Sequence, residues 1–406
     1  MSNSNPHHQF LSYGRQTLDE QDIEAVCKVL RSDFLTMGPA VDLFEQEVME
    51  YTGAKFAVAV SSGTAALHLA CMASGIETGQ FGLVPAITFV ASANAFVYSG
   101  ATVIVGDIDE EDLGLSRESI LGVANNPDVK VVMPVYMGGL ASRAAETRQL
   151  AKGKILIEDA SHAFGGEYED GQKVGSCAYS DMCVFSFHPV KPFTTGEGGM
   201  ITTNDPELAR KLRIYRNHGI ERSSENFQSI DQLVRNSPWY YEQQELGYNY
   251  RLSDLHAALG ASQIKKIDDF RAKRDEIARY YDEKLREVKS VKLLQAHQEQ
   301  RDRSAHHLYI VWLDFEELGL TRSELMKKLS ASGVGSQVHY IPLTCHPFHK
   351  DRKYAVDEGI AKATEYYLGC LSLPIQPGMS ANDAERVVAA LKDLVEPHDN
   401  GICFRS

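Results

Sequence analysis

Ser186-Phe187-His188-Pro189-Val190-Lys191-Pro192-Phe193-Thr194-Thr195-Gly196-Glu197-Gly198-Gly199-Met200 joins two apolar runs, Met182–Phe187 and Met200–Thr203. Both runs are continuous rather than alternating, the pattern of strands covered on both faces. Gly196, Gly198 and Gly199 are placed to make the tight reversal into the second run, since a backbone without Cβ takes conformations closed to other residues. The stretch predicts strand, loop, sharp turn and strand, with Lys191 in the loop just past a buried strand end. A lysine so placed can lose its proton and attack a carbonyl. Taken alone it reads as a surface lysine, because charged side chains are mostly solvated.

Outward from this stretch, five more apolar runs alternate with helical segments: Phe56–Val60, Gly82–Pro85, Thr102–Val105, Lys130–Val135 and Lys154–Glu158. The alternation predicts an α/β fold with a seven-stranded, mostly parallel sheet, whose ligands gather at the carboxyl ends of the strands. From Leu252 the pattern changes. Leu252, Leu255, Leu259, Ile267, Phe270, Ile277 and Tyr281 recur at helical intervals and predict one long amphipathic helix, capped by Ser253-Asp254. Strand-like His307–Leu313, a helix near Ser323–Ser332, strand-like Gly335–Ile341 and a helix near Ala381–Val395 read as a smaller C-terminal α+β domain. The expected division is an N-terminal arm and first helix over 1–30, a large domain over 31–255, and the bridging helix with the small domain over 256–406.

Composition narrows the function classes. A 43% hydrophobic share over 406 residues supports a large core. The net charge of −14 disfavours nonspecific nucleic-acid binding, yet leaves room for an anion held by local backbone N–H groups. Seven scattered cysteines form neither a disulfide framework nor a zinc pattern, so no metal is expected. No apolar stretch is long enough for a membrane span, and the first ten residues are a polar arm without a signal core. A cytoplasmic protein is expected.

Four groups at strand ends share one chemistry. Ser62-Gly63-Thr64-Ala65-Ala66-Leu67 opens a helix after the Phe56–Val60 run, so its free N–H groups, with the Thr64 hydroxyl, can cup a phosphate while Gly63 permits close approach. Pro85-Ala86-Ile87-Thr88-Phe89 brings an aromatic face that could stack on a pyridine ring. Ile157-Glu158-Asp159-Ala160-Ser161-His162 offers Asp159 as partner for a protonated pyridine nitrogen and His162 for a phenolic oxygen. Ser186 can add a phosphate hydrogen bond beside Lys191, whereas His188 is as well explained by shaping a turn. Each group has a plainer reading: Ser62 and Thr64 as caps, Phe89 as core, Asp159 as a cap. Their order along the chain (phosphate cup, ring, carboxylate, lysine) points to pyridoxal 5'-phosphate (PLP).

Ser62–Leu67, Glu158–His162, Ser186–Lys191 with Gly196–Gly199, Gly247-Tyr248-Asn249-Tyr250-Arg251-Leu252-Ser253-Asp254 and Ser372-Leu373-Pro374 together resemble the DegT/DnrJ/EryC1/StrS sugar aminotransferases, PLP-dependent enzymes of transferase fold type I. The resemblance runs from about Tyr13 to Leu394. It implies Lys191 as covalent anchor and proton carrier, Asp159 on the pyridine nitrogen, Phe89 stacking on the ring, and His162 at the phenolic oxygen. Gly63, Thr64, Ala65 and Ser186 are implied around the phosphate, with Asn249 reaching the neighbouring subunit's cofactor in a homodimer with shared active sites. The Tyr13–Gln16 and Leu30–Pro39 blocks look most like the pseudaminic-acid branch. That likeness implies transfer of an amino group from glutamate to C4 of a UDP-linked 4-keto-6-deoxy-N-acetylhexosamine. Tyr13, Asp33, Phe34, Leu35, Thr36, His339 and Tyr340 would then line the sugar-nucleotide pocket. Met37 and Tyr136-Met137 depart from that branch, so a different nucleotide, epimer or carbon stands as the alternative. A non-catalytic cofactor-binding regulator is a further one, opposed by the intact Lys191, Asp159 and Asn249.

Overall fold

The computed structural model describes residues 10–228, 237–295, 298–350 and 359–396. Most of the expected N-terminal arm, residues 1–9, lies outside the described residues. Each of the seven apolar runs forms a strand: β1 (Phe56–Val60), β2 (Phe81–Pro85), β3 (Thr102–Gly106), β4 (Val129–Val132), β5 (Ile155–Asp159), β6 (Met182–Ser186) and β7 (Gly199–Thr203). They form one sheet in the order β1-β7-β6-β5-β4-β2-β3. Only β7 runs against its neighbours, pairing antiparallel with β1 and β6, while β2 pairs parallel with β3 and β4, β4 with β5, and β5 with β6. The Lys191 loop is the connection between β6 and β7. Gly196 takes a φ of +82° in it, a conformation that L side chains rarely adopt.

Helices cover both faces of this sheet, which is why its strands are apolar throughout. Those that bear on the site are α1 (Glu20–Leu30), α2 (Pro39–Thr52), α3 (Gly63–Ala73) and α4 (Val90–Tyr98). Val58, Val84, Val103, Val184 and Ile201 sit with α3 and α4 in one core cluster. Phe44 of α2 packs with Phe185, Phe187 and Phe193 in another.

The long helix expected from Leu252 to Tyr281 is interrupted. Helix α5 spans Asp254–Gln263, a 3₁₀ turn covers Ile264–Lys266, and helix α6 spans Ile267–Leu285. A 3₁₀ turn eclipses residues three apart. Ile264 and Ile267 are thereby both buried, at 4% and 1% exposure. The Lys266 ammonium meanwhile reaches Asp22 on α1 at 2.9 Å. Tertiary anchoring outweighs the continuous helical period.

A three-stranded antiparallel sheet follows: β8 (Val291–Leu293), β9 (Tyr309–Leu313) and β10 (Cys370–Leu373), with β9 central. Helices Arg322–Ala331 and Ala381–Val395 form close to where the sequence places them. Gly335–Ile341 is not a strand. Its backbone bonds are divided between partners: Gly335 N–H donates to Leu11 at 2.7 Å, and Gln337 pairs with Ser372 alone. Divided in this way, the segment cannot build a ladder and instead borders the cleft described next.

Candidate active site

A cleft of about 810 Å³ opens at the carboxyl ends of the parallel strands and is closed on one side by Gln337–Tyr340. Of the residues nominated from sequence, Gly63, Thr64, Phe89, Asp159, His162, Ser186 and Lys191 line it. Tyr13, His339 and Tyr340 line it as well.

Ser62 caps α3, its hydroxyl accepting from the Ala65 N–H at 3.1 Å. That bond engages the Ala65 N–H, and the Ala65 side chain is buried behind the cup, so the open end of the helix is presented by Gly63 and Thr64. A Cβ on Gly63 would lie 2.7 Å from the Ser186 Cβ. Only glycine allows α3 to bring its N-terminus so near the end of β6. Hydroxyls of Ser62, Thr64 and Ser186 with a helix N-terminus form an anion-binding donor set.

Asp159 ends β5 and is 5% exposed. Its Oδ1 accepts from the Ser161 hydroxyl at 2.6 Å and the Ser161 N–H at 3.2 Å, and its Oδ2 accepts from the Ser92 hydroxyl at 2.7 Å. Phe89, the cap residue of α4, is 56% exposed, which overturns its plainer reading as core. Its ring centroid lies 6.0 Å from that of Tyr340.

Lys191 closes a tight turn, its N–H donating to the His188 carbonyl at 2.9 Å. Burial lowers its ammonium from the ordinary 10.5 to about 8, and the charge of Asp159 offsets part of that fall. A substantial neutral fraction at neutral pH is what a nucleophilic amine needs. Three imidazoles crowd the same wall. His162 lies against His307 with centroids 4.4 Å apart and the rings tilted by 46°, its Nε2 is 3.3 Å from the Tyr340 hydroxyl, and His339 Nδ1 is 2.8 Å from the Ser372 hydroxyl. Burial first, then the positive charge of Lys191 and His339, holds His162 well below its ordinary value. His339 falls to about 3 for the same first reason, with Lys191 adding to it.

These residues fit PLP. They supply a helix N-terminus that only a glycine at position 63 lets pack against Ser186, an aromatic face, a buried carboxylate with hydroxyl donors on both oxygens, and an amine with lowered proton affinity. The orphaned, buried Nδ1 of His162 adds an unspent polar group on the same wall.

Other nominated residues lie away from the cleft of this chain. Asp33, Phe34, Leu35 and Thr36 are exposed, with the Leu35 carbonyl accepting from the Asp254 N–H at 3.1 Å. Asn249 is exposed too, in a bridge with Asn217. The strap that carries Asn249 is nevertheless fixed to the back of the phosphate cup, through a 2.8 Å bond from Ser61 N–H to the Tyr250 carbonyl. Sequence reading missed Thr88, Ser92, Ser161 and His307. Ser161, two residues after Asp159, has the spacing of a local Asx contact, and Thr88 and Ser92 are one helical turn apart. Nothing in the sequence marks His307.

Residues 16–392 match the model of the DegT/DnrJ/EryC1/StrS aminotransferase family. The UDP-4-amino-4,6-dideoxy-N-acetyl-beta-L-altrosamine transaminase of Campylobacter jejuni is 39% identical over 404 residues, covering 97% of this chain and 100% of that protein. The spore coat polysaccharide biosynthesis protein SpsC of Bacillus subtilis is 37% identical over 393 residues, covering 96% of this chain and 98% of SpsC. Among solved structures, Helicobacter pylori PseC, an aminotransferase of pseudoaminic acid biosynthesis, superposes with a TM-score of 0.86 at 28% identity, over 96% of this chain and 100% of PseC. With the cleft, its lysine and the open N-terminus of α3 in place, the chain belongs to the DegT/DnrJ/EryC1/StrS family and is a PLP-dependent aminotransferase.

Proposed function

We propose that the protein moves an amino group from glutamate to C4 of a UDP-linked 4-keto-6-deoxy-N-acetylhexosamine, giving UDP-4-amino-4,6-dideoxy-N-acetyl-β-L-altrosamine for pseudaminic acid biosynthesis in the cytoplasm. The observation that carries the chemistry is the Lys191 amine, lowered to about 8 in a cleft that also holds Asp159. The full-length likeness to the Campylobacter altrosamine transaminase supports the sugar.

PLP, when bound, supplies an aldehyde that carries the amino group and a ring that takes up negative charge. The chain's own residues do the rest. Lys191 anchors the aldehyde through Nζ, takes a proton at Nζ from the α-carbon of the amino donor, and later delivers one to C4 of the sugar. Asp159 would hold the ring nitrogen, Phe89 would cover one ring face, and His162, kept neutral, would serve the phenolic oxygen. Gly63, Thr64 and Ser186 would surround the phosphate, with Ala65 backing the cup. In this reading Asn249 completes the neighbouring subunit's cup, while Asp33–Thr36 bring substrate contacts across the same interface. The exposed Phe34, Leu35 and Met37, at 53%, 49% and 59%, are an apolar patch that a second subunit would cover. The chain is taken to divide into an arm with the first helix (1–30), a cofactor domain (31–255) and the bridging helices with a small domain (256–406).

The test is direct: incubate the holoenzyme with glutamate and 4-keto sugars carrying UDP or GDP, and solve the product by NMR. A pocket that reads ring stereochemistry through hydrogen bonds leaves polar groups unpaired with the wrong epimer. The L-arabino-configured UDP sugar should therefore be strongly preferred over its D-xylo epimer, and amination at C3 or equal use of both epimers would overturn the assignment. The comparable likeness to SpsC favours a second reading, another nucleotide sugar destined for a polysaccharide.

A further inference from the structure

Thr88 and Ser92 flank Phe89 and are almost wholly buried, at 1% and 0% exposure. The Ser92 hydroxyl has three neighbours: Asp159 Oδ2 at 2.7 Å, the Phe89 carbonyl at 3.2 Å and the Thr88 hydroxyl at 2.7 Å. A serine hydroxyl owns a single proton. The carboxylate is both nearer than the Phe89 carbonyl and charged, so it takes that proton. Thr88 must then donate to Ser92, which gives the chain one direction, from Thr88 to Ser92 to Asp159. Aligned hydroxyls polarise one another and strengthen the terminal bond.

The two carboxylate oxygens are loaded unequally. Oδ1 already accepts twice, from the hydroxyl and the N–H of Ser161, whereas Oδ2 accepts once. A carboxylate offers about four acceptor positions, two on each oxygen. Only Oδ2 keeps one open.

From this arrangement we infer that Thr88 and Ser92 are positioning residues for transamination, orienting Asp159 so that Oδ2 is the oxygen presented to the pyridine nitrogen. The inference rests on the reading that Asp159 holds that nitrogen. It also makes the Thr88–Ser92 segment serve two ends of one ring, since Phe89, between the two hydroxyls, lines the cleft together with Thr88. A displacement of Phe89 would be felt at the carboxylate through the same turn.

The test uses the PLP-loaded enzyme and two readouts: the pH midpoint of the bound cofactor's visible absorbance, and the single-turnover rate with glutamate. Ser92→Ala should lower the rate about tenfold, as befits one hydrogen bond to a charged group, and move the midpoint by about half a pH unit. Thr88→Val, which keeps size and burial, should move both in the same direction by less. The double variant should be no worse than Ser92→Ala, because a chain already cut at its second link has nothing more to lose. Ser92→Ala within twofold of the parent with an unmoved midpoint would overturn the proposal, as would strictly additive losses. Asp159→Asn separates the layers: if it moves the absorbance and Ser92→Ala does not, the hydroxyl chain is refuted and the Asp159 reading stands. If neither moves it, the Asp159 reading fails as well.

Discussion

The Tyr340 hydroxyl lies 3.3 Å from His162 Nε2, joining positions 178 residues apart in the lining of the cleft. The contact ties the segment beside the small sheet to the end of β5, next to Asp159. It also belongs to a wall of imidazoles whose shared neutrality has measurable consequences.

Acid should destabilise the cofactor-free protein through that wall. Burial holds His162 and His307 well below the ordinary histidine value, with neighbouring positive charges adding to it, and His339 titrates at about 3. An unfolded chain protonates these rings near pH 6.5, so between there and the folded values the unfolded state binds more protons. Stability therefore falls as pH drops through about 6.5, each ring contributing up to about 1.4 kcal/mol per pH unit. Urea titrations from about pH 7.5 to about 5.5 should show the decline, and His307→Phe should flatten it. An unchanged slope would mean that His307 is not held neutral.

Lys191 gives the same sign in a higher pH window. Its folded value of about 8 lies below the ordinary 10.5, so the unfolded state holds the extra proton between them and stability rises with pH across that window. Capture of PLP by the cofactor-free protein needs the neutral amine and should accelerate with a midpoint at about 8. Stopped-flow absorbance reads this directly, and a midpoint near the ordinary lysine value would refute the lowered amine.

Borohydride reduction of the holoenzyme should fix the cofactor on Lys191, located by peptide mass. Lys191→Ala should lose both the adduct and essentially all turnover. Trapping on another lysine would sink the assignment.

Asp159→Asn should cut the single-turnover rate by about two to three powers of ten, each tenfold corresponding to about 1.4 kcal/mol of lost charge stabilisation. Near-normal turnover would remove Asp159 from its proposed place.

Shared sites are tested by complementation. Mixing Lys191→Ala with Asn249→Ala protein and allowing subunit exchange puts both lesions in one site of each mixed dimer and neither in the other. Activity should reappear. Full activity in a verified monomer would exclude any role for a second subunit.

Much of this enzyme is legible in its sequence because the signals are local. Continuous apolar runs mark strands with helices on both faces, and Ser62-Gly63-Thr64, Asp159 and Lys191 stand directly after such runs, where a parallel sheet collects its ligands. Strand identity and the placement of Gly63, Thr64, Phe89, Asp159 and Lys191 at strand ends needed nothing more. Periodicity failed where a contact between distant segments decides the backbone. The helix through Leu252 and Tyr281 breaks because Lys266 is tied to Asp22 while Ile264 and Ile267 must both be buried. Gly335–Ile341 has the composition of a strand, yet its hydrogen bonds go to Leu11 and Ser372 separately. The tertiary structure alone decided that Ser92, from a different strand's helix, meets Asp159, and that His307 lies against His162. Sequence determines which residues stand at the strand ends, whereas the aim of a carboxylate and the charge of an imidazole depend on neighbours that only folding brings within hydrogen-bonding reach.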